Sequence, residues 1–178
     1  MGHRRIATWL VTAAAALSGA GVAAAQSDPS ATARLEGTFS VAGKITVAVH
    51  ISGERVGQRV QRTWTFTPLC PTGGCAQVEL VRQRPSGTDS VVLGLLSTDR
   101  YVGRGRFFAA LTCGGRRHAR GVSVPFTISV RITKTRLVSG VAVATELQAS
   151  YVNPRRVNRT RCVAIPGHDA ARYTGSLA

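Results

Sequence analysis

From Leu35 onward the chain alternates apolar and polar side chains with period two, and this pattern limits it to one class of fold. Over residues 38–51, Phe39, Val41, Ile45, Val47, Val49 and Ile51 share one face, with Gly43 in the same register. Thr38, Ser40, Lys44, Thr46 and His50 take the other face. Successive side chains of a strand point to opposite sides of a sheet, so such a run is a half-buried strand, and Gly43 marks the expected bend. The same reading predicts strands over 60–66 (Val60, Trp64 and Phe66 inward), 76–82 (Val78 and Leu80 inward) and 90–96. It continues over 100–113 (Tyr101, Phe107, Ala109 and Leu111 on one face), 122–132 and 137–151, with a short eighth strand near 171–175.

The joints between these runs are short and rich in turn formers: Ser52-Gly53-Glu54, Pro85-Ser86-Gly87, Ser97-Thr98-Asp99, Gly114-Gly115 and Thr133-Lys134-Thr135-Arg136. Short joints make neighbouring strands antiparallel. No run carries the 3.6-residue period of a buried helix. The expected fold is therefore all-β: about eight antiparallel strands closed into an up-and-down barrel, because closure removes exposed sheet edges. A β-sandwich is the alternative. The immunoglobulin form of it lacks its usual cysteine–tryptophan–cysteine order, since Trp64 precedes every cysteine.

The N-terminus carries a different pattern. Arg4 and Arg5 precede a short apolar run, then Ser18-Gly19, Gly21 and the small residues Ala23-Ala24-Ala25. A positive start, an apolar stretch of about a dozen residues and an A-x-A close describe a secretory signal peptide, and that stretch falls short of the ~20 residues that span a bilayer. The expected organisation is a signal peptide at 1–25, a short flexible segment at 26–34 and one β-barrel domain at 35–178, with no transmembrane segment after cleavage. Export exposes thiols to oxidation, and the four cysteines then read as two disulfides. Three pairings exist. Cys70-Pro71-Thr72-Gly73-Gly74-Cys75 forms a tight bend, which favours Cys70–Cys75 and leaves Cys113–Cys162, a long loop whose closure contributes roughly 3–4 kcal/mol. The C-x4-C spacing with two isolated cysteines is a poor zinc pattern, so no metal is expected.

Charge sets the second constraint. The chain has 23 basic and eight acidic residues, a net charge of +15, and the first 25 residues carry only two of those bases. Such an excess favours anionic polymers, membrane surfaces or nucleic acid; the alternative is a solvated basic surface that only keeps the protein in solution. If Cys113 and Cys162 are bonded, two arginine groups meet at one corner: Arg116, Arg117 and Arg120 after the first cysteine, and Arg155, Arg156, Arg159 and Arg161 before the second. These seven are the candidate anion-binding residues. No aromatic-basic pattern of specific nucleic-acid binding accompanies them.

Two short motifs carry resemblances. Trp64-Thr65-Phe66-Thr67-Pro68-Leu69-Cys70, then Gly74-Cys75 and the later Tyr101-Val102-Gly103, resemble a group of exported, disulfide-stapled β-domain proteins of high-GC Gram-positive bacteria that share W-x-F-x-P-x-C…C. Leu35-Glu36-Gly37-Thr38-Phe39 is similar to the opening of a lipocalin-type barrel, with Phe39 where G-x-W has tryptophan. The lipocalin likeness implies a cavity for a small apolar ligand. Trp64, Phe66, Tyr101 and Phe107, aromatic and on inward faces, are its candidate lining; otherwise they are core. Chemistry for catalysis is missing from the sequence. There is no G-x-S-x-G elbow, no H-E-x-x-H and no glycine-rich phosphate loop, and the carboxylates are isolated. The expected function is a non-enzymatic binding module without a cofactor. Its partner is a small apolar ligand or an anionic envelope component; the alternative is a structural protein of the cell envelope acting through surface charge.

Mass spectrometry of the exported protein should show a chain starting near Gln26 and lighter by four hydrogens than its reduced form. Free thiols in the native protein would contradict the disulfide assignment.

Overall fold

In the computed structural model, residues 33–85, 87–163 and 165–178 are described. The expected signal peptide and most of the expected flexible segment lie outside them. Among the described residues the alternating runs form nine strands and no helix. They are β1 Gly37–Val49, β2 Arg59–Pro68, β3 Gln77–Arg84, β4 Gly87–Ser97, β5 Arg100–Cys113, β6 Arg116–Val138, β7 Val141–Asn153, β8 Val157–Asn158 and β9 His168–Leu177. Consecutive strands pair antiparallel from β1 to β7, β7 pairs with β9, and β9 returns to β1. The result is a closed, eight-stranded, up-and-down barrel. The two-residue β8 lies outside it, paired to β6 at Val122 and Ser123. The sandwich alternative does not occur.

Inside and outside follow the alternation. Phe39, Val41, Phe66, Val78, Leu80, Leu93, Ile128 and Leu147 are buried in the interior. The outer positions of β1 and β2 carry Thr38, Ser40, Lys44, Gln61, Thr63 and Thr65. A polar outer wall around an apolar interior is the reverse of a membrane-spanning barrel, and no helix among the described residues is long and apolar enough to cross a bilayer.

Three details differ from the sequence reading, each for a local reason. The turn expected at Thr133–Arg136 is strand, because Lys134 pairs with Glu146 of β7 across the ladder at 2.8 Å. The chain reverses later, at Ser139-Gly140, where both residues have positive φ (50° and 80°), as a two-residue hairpin loop requires. Gly43 is not the bend: the register shift of β1 falls between Ile45 and Val47. A Cβ at Gly43 would lie 2.3 Å from the ring of Tyr173, so this glycine makes room for an inward aromatic side chain. Finally, Ala33 and Arg34 already belong to the barrel. Ala33 is buried, and the Arg34 amide donates to Ala142 O at 2.7 Å while its carbonyl accepts from Ala144 N at 2.9 Å.

These residues help close one end. Leu35 is fully buried there. The Arg34 guanidinium donates to Gly73 O and Cys70 O of the loop between β2 and β3, and the Tyr101 hydroxyl donates to Cys75 O at 2.7 Å. The Cys70–Cys75 disulfide holds that loop in its bend, with Cα atoms 5.7 Å apart. The second disulfide, Cys113–Cys162, joins the end of β5 to the segment between β8 and β9 at the opposite end, with Cα atoms 6.2 Å apart. Both pairings are those favoured by the cysteine spacing. Two disulfides place the chain in an oxidising environment.

Candidate functional site

The end opposite the disulfide-stapled plug is open, and there the interior changes character. On β3 the inward series runs Val78, Leu80, Arg82, Arg84, apolar first and then charged as it nears the opening. On β2 it runs Phe66, Trp64, Arg62, and on β4 Leu93, Val91, Asp89. β9 adds Tyr173 and Asp169, and β7 adds Tyr151.

Arg82 and Asp89 stand directly opposite each other on neighbouring strands. Arg82 donates through Nε to Asp89 Oδ1 at 2.8 Å and through Nη2 to Oδ2 at 2.9 Å, a two-pronged contact. Their side chains are only 5% and 8% exposed. Arg84 Nε approaches the same carboxylate at 2.7 Å. The guanidinium groups also lie on aromatic rings: Arg82 is 4.0 Å from the centroid of Phe126, and Arg84 is 3.8 Å from that of Phe107. Ion pairing and cation–π contact together let two arginines occupy the inside of a barrel.

Above this layer lies a cavity of about 240 Å³. Trp64 forms part of its lining, with its ring 5.1 Å from that of Tyr173. Phe107 and Tyr151 are further aromatic lining. The polar lining includes Arg62, Arg156, Glu54 and Asp169. Arg156 reaches in from the segment after β7 and binds Asp169 at 3.2 Å. The neighbouring Tyr151 hydroxyl favours the charged form of Asp169. Burial pushes the Asp169 carboxyl up against the lowering influence of Arg156. Burial also raises Glu54, with the neighbouring Asp169 carboxylate adding to it while Arg156 and Arg62 oppose. Burial raises the Tyr151 and Tyr173 hydroxyls as well, which leaves both as neutral donors. The larger depressions on the molecule, such as one of about 520 Å³ around Ser97, Arg100 and Arg172, lie on the outer wall and open widely to solvent.

Of the four aromatic residues expected to line a cavity, two do. Trp64 lines it while only 1% exposed, so it is both core and wall, and Phe107 lines it too. Phe66 packs lower down, edge-on to Phe39 at 5.4 Å, and Tyr101 belongs to the closed end. The interior charges were missed by the sequence reading, although Arg82 and Arg84 continue the register of Val78 and Leu80, and Arg62 that of Val60 and Trp64.

The Cys113–Cys162 bond brings the two stretches that carry the arginine groups together at one corner of the barrel. Arg120 and Arg159, one from each group, both lie over the ring of Phe108, at 3.9 and 5.0 Å. Arg116, Arg117, Arg155 and Arg161 are exposed. Arg156 departs from the expected patch and turns into the cavity, drawn by Asp169. His118 lies close to the two cysteine sulfurs; with those sulfurs bonded to each other, the group lacks the thiolates a metal would need. No protein-family model matches the chain, and no curated protein matches it significantly.

The raised Glu54 carboxyl has a measurable consequence. The folded protein keeps this proton at pH values where the unfolded chain has lost it, so folding stability must fall as pH rises from the ordinary value of 4.5 through the raised one. Urea unfolding across that range should show the wild type losing stability relative to Glu54→Gln, which cannot titrate. Parallel pH profiles for the two proteins would contradict this account of the mouth.

Proposed function

We propose that this is an exported, non-enzymatic binding module that holds a small amphipathic molecule in the mouth of its barrel. The observation that carries the reading is the 240 Å³ cavity whose lining combines aromatic rings with charged side chains. An engineered apolar cavity of roughly 150 Å³ holds benzene, so this one suits a ligand of one or two rings. Its apolar part lies against Trp64, Phe107 and Tyr173, and its polar part meets Arg62, Arg156 and Glu54. A purely apolar ligand, the kind implied by the lipocalin likeness, would make no use of those polar groups, whereas sites of this kind pair apolar walls with a few placed polar groups. The barrel below is filled by side chains, which supports a small ligand over a long-chain one. Among the described residues, no serine, cysteine, histidine or lysine lines the cavity. Asp169 is already engaged by Arg156, which supports binding over nucleophilic chemistry.

The chain has two tryptophans, Trp9 and Trp64. Cleavage of the signal peptide removes Trp9, so the emission of the exported form reports Trp64 alone. Titration with a panel of small aromatic acids and their neutral amides should give saturable changes in that emission. Phe107→Ala should weaken binding by about 1–2 kcal/mol through loss of aromatic contact, and Ala109→Leu, which fills the cavity, should abolish it. No response to any member of the panel, or an unchanged response in Ala109→Leu, would contradict a site at the mouth.

A further inference from the structure

We propose that the arginine corner at the mouth end of the barrel is a docking surface for an anionic lipid bilayer, with Val163 and Ile165 entering the headgroup layer. Three observations lead to it, none of which depends on the cavity holding a ligand. The first is charge without compensation. No acidic residue occurs between Asp99 and Glu146 or between Glu146 and Asp169. Among the described residues the ion pairs engage Arg34, Arg82, Arg84, Arg131, Lys134 and Arg156, and none engages Arg116, Arg117, Arg120, Arg155, Arg159 or Arg161.

The second observation is that the corner is built. The Cys113–Cys162 disulfide ties the β5–β6 hairpin to the segment after β8. Asn158 Oδ1 accepts from Thr160 N and from the Thr160 hydroxyl, both at 2.8 Å, and Cys162 N donates to Thr160 Oγ1 at 3.1 Å. The Arg159 amide donates to Gly121 O at 2.8 Å. Stacking on Phe108 holds the guanidinium groups of Arg120 and Arg159 on a shared ring. The backbone that carries the charges is therefore held in place, and two of the guanidinium groups, those of Arg120 and Arg159, are held with it.

The third observation chooses the partner. Val163 is fully exposed, Ile165 is 70% exposed and Val157 47%. These apolar side chains stand on the same segment as Arg155, Arg159 and Arg161. A soluble polyanion offers nothing to exposed valine and isoleucine. A bilayer surface rich in anionic lipid offers both partners: phosphates for the guanidinium groups and hydrocarbon just beneath for the apolar tips. The same segment contributes Arg156 to the cavity, so docking in this way turns the mouth of the barrel toward the membrane.

The test uses the exported form, with its N-terminus fixed by mass spectrometry so that no signal peptide remains to bind lipid. Co-sedimentation is measured with vesicles of phosphatidylcholine alone and with an equal share of phosphatidylglycerol. Binding should require phosphatidylglycerol and weaken with salt. Arginines near a charged surface each contribute about fivefold, so Arg116→Ser/Arg117→Ser/Arg155→Ser/Arg159→Ser should lose more than tenfold. A control removing Arg59, Arg104, Arg106 and Arg136 from the outer wall should lose much less. Val163→Ser/Ile165→Ser should weaken vesicle binding while leaving retention on soluble polyphosphate unchanged. Equal losses in the two arginine variants would overturn the proposal, because only net charge would matter. Vesicle binding indifferent to Val163→Ser/Ile165→Ser would overturn it in favour of a soluble polyanion. Thermal unfolding of each variant separates loss of binding from loss of fold.

Discussion

The buried contact between Arg82 and Asp89 divides this barrel in two. An arginine taken out of water loses several kcal/mol of hydration, and only a well-shaped partner offsets it. Here the partner is supplied by strand register, which sets Asp89 opposite Arg82, and by the ring of Phe126 beneath the guanidinium. On one side of this layer the interior is packed with Phe39, Phe66, Leu80 and Leu93 and closed by Leu35 and the Cys70–Cys75 loop. On the other side the walls carry charge and the barrel opens. An eight-stranded barrel is just wide enough to be filled by its own side chains; the charged layer is where that filling stops, and the cavity exists because of it.

The same division explains how far the sequence could be read. Period-two alternation identifies the strands, their faces and the closed architecture, because each face of a barrel wall meets a uniform environment. It misplaces the β6–β7 turn because Thr133-Lys134-Thr135 has the look of a joint, while the cross-strand partner that keeps it extended, Glu146, lies 12 residues away. It passes over Arg62, Arg82 and Arg84 because arginine is ordinarily assigned to solvent whatever its register. Period is the stronger signal here: each of these arginines lies an even number of residues from a buried neighbour. The cavity was less legible still. It is assembled from β2, β3, β5, β7, β9 and three connecting segments, and no local pattern brings Trp64, Tyr173 and Asp169 together.

The two disulfides serve the two ends differently. Cys70–Cys75 shapes a loop that becomes part of the plug and accepts a hydrogen bond from Tyr101. Cys113–Cys162 fixes the rim beside the mouth and gathers arginines from distant parts of the chain. Arg156 connects that rim to the cavity, since its backbone belongs to the corner segment and its guanidinium binds Asp169. Charge held inside, at the mouth and on the rim is thus one graded feature, and the apolar plug supplies the stability that such a feature does not.

The most direct test of this partition is the unfolding free energy of Asp89→Leu beside that of Arg82→Met/Arg84→Met/Asp89→Leu. If the layer is buried and ion-paired, the single change strands two arginines inside the barrel and should cost about 3–5 kcal/mol, while the triple change, which removes all three charges, should recover most of that loss. A single-change cost below about 1 kcal/mol, the level of an exposed pair, would mean that Arg82 and Arg84 reach water and that the interior is not divided as described.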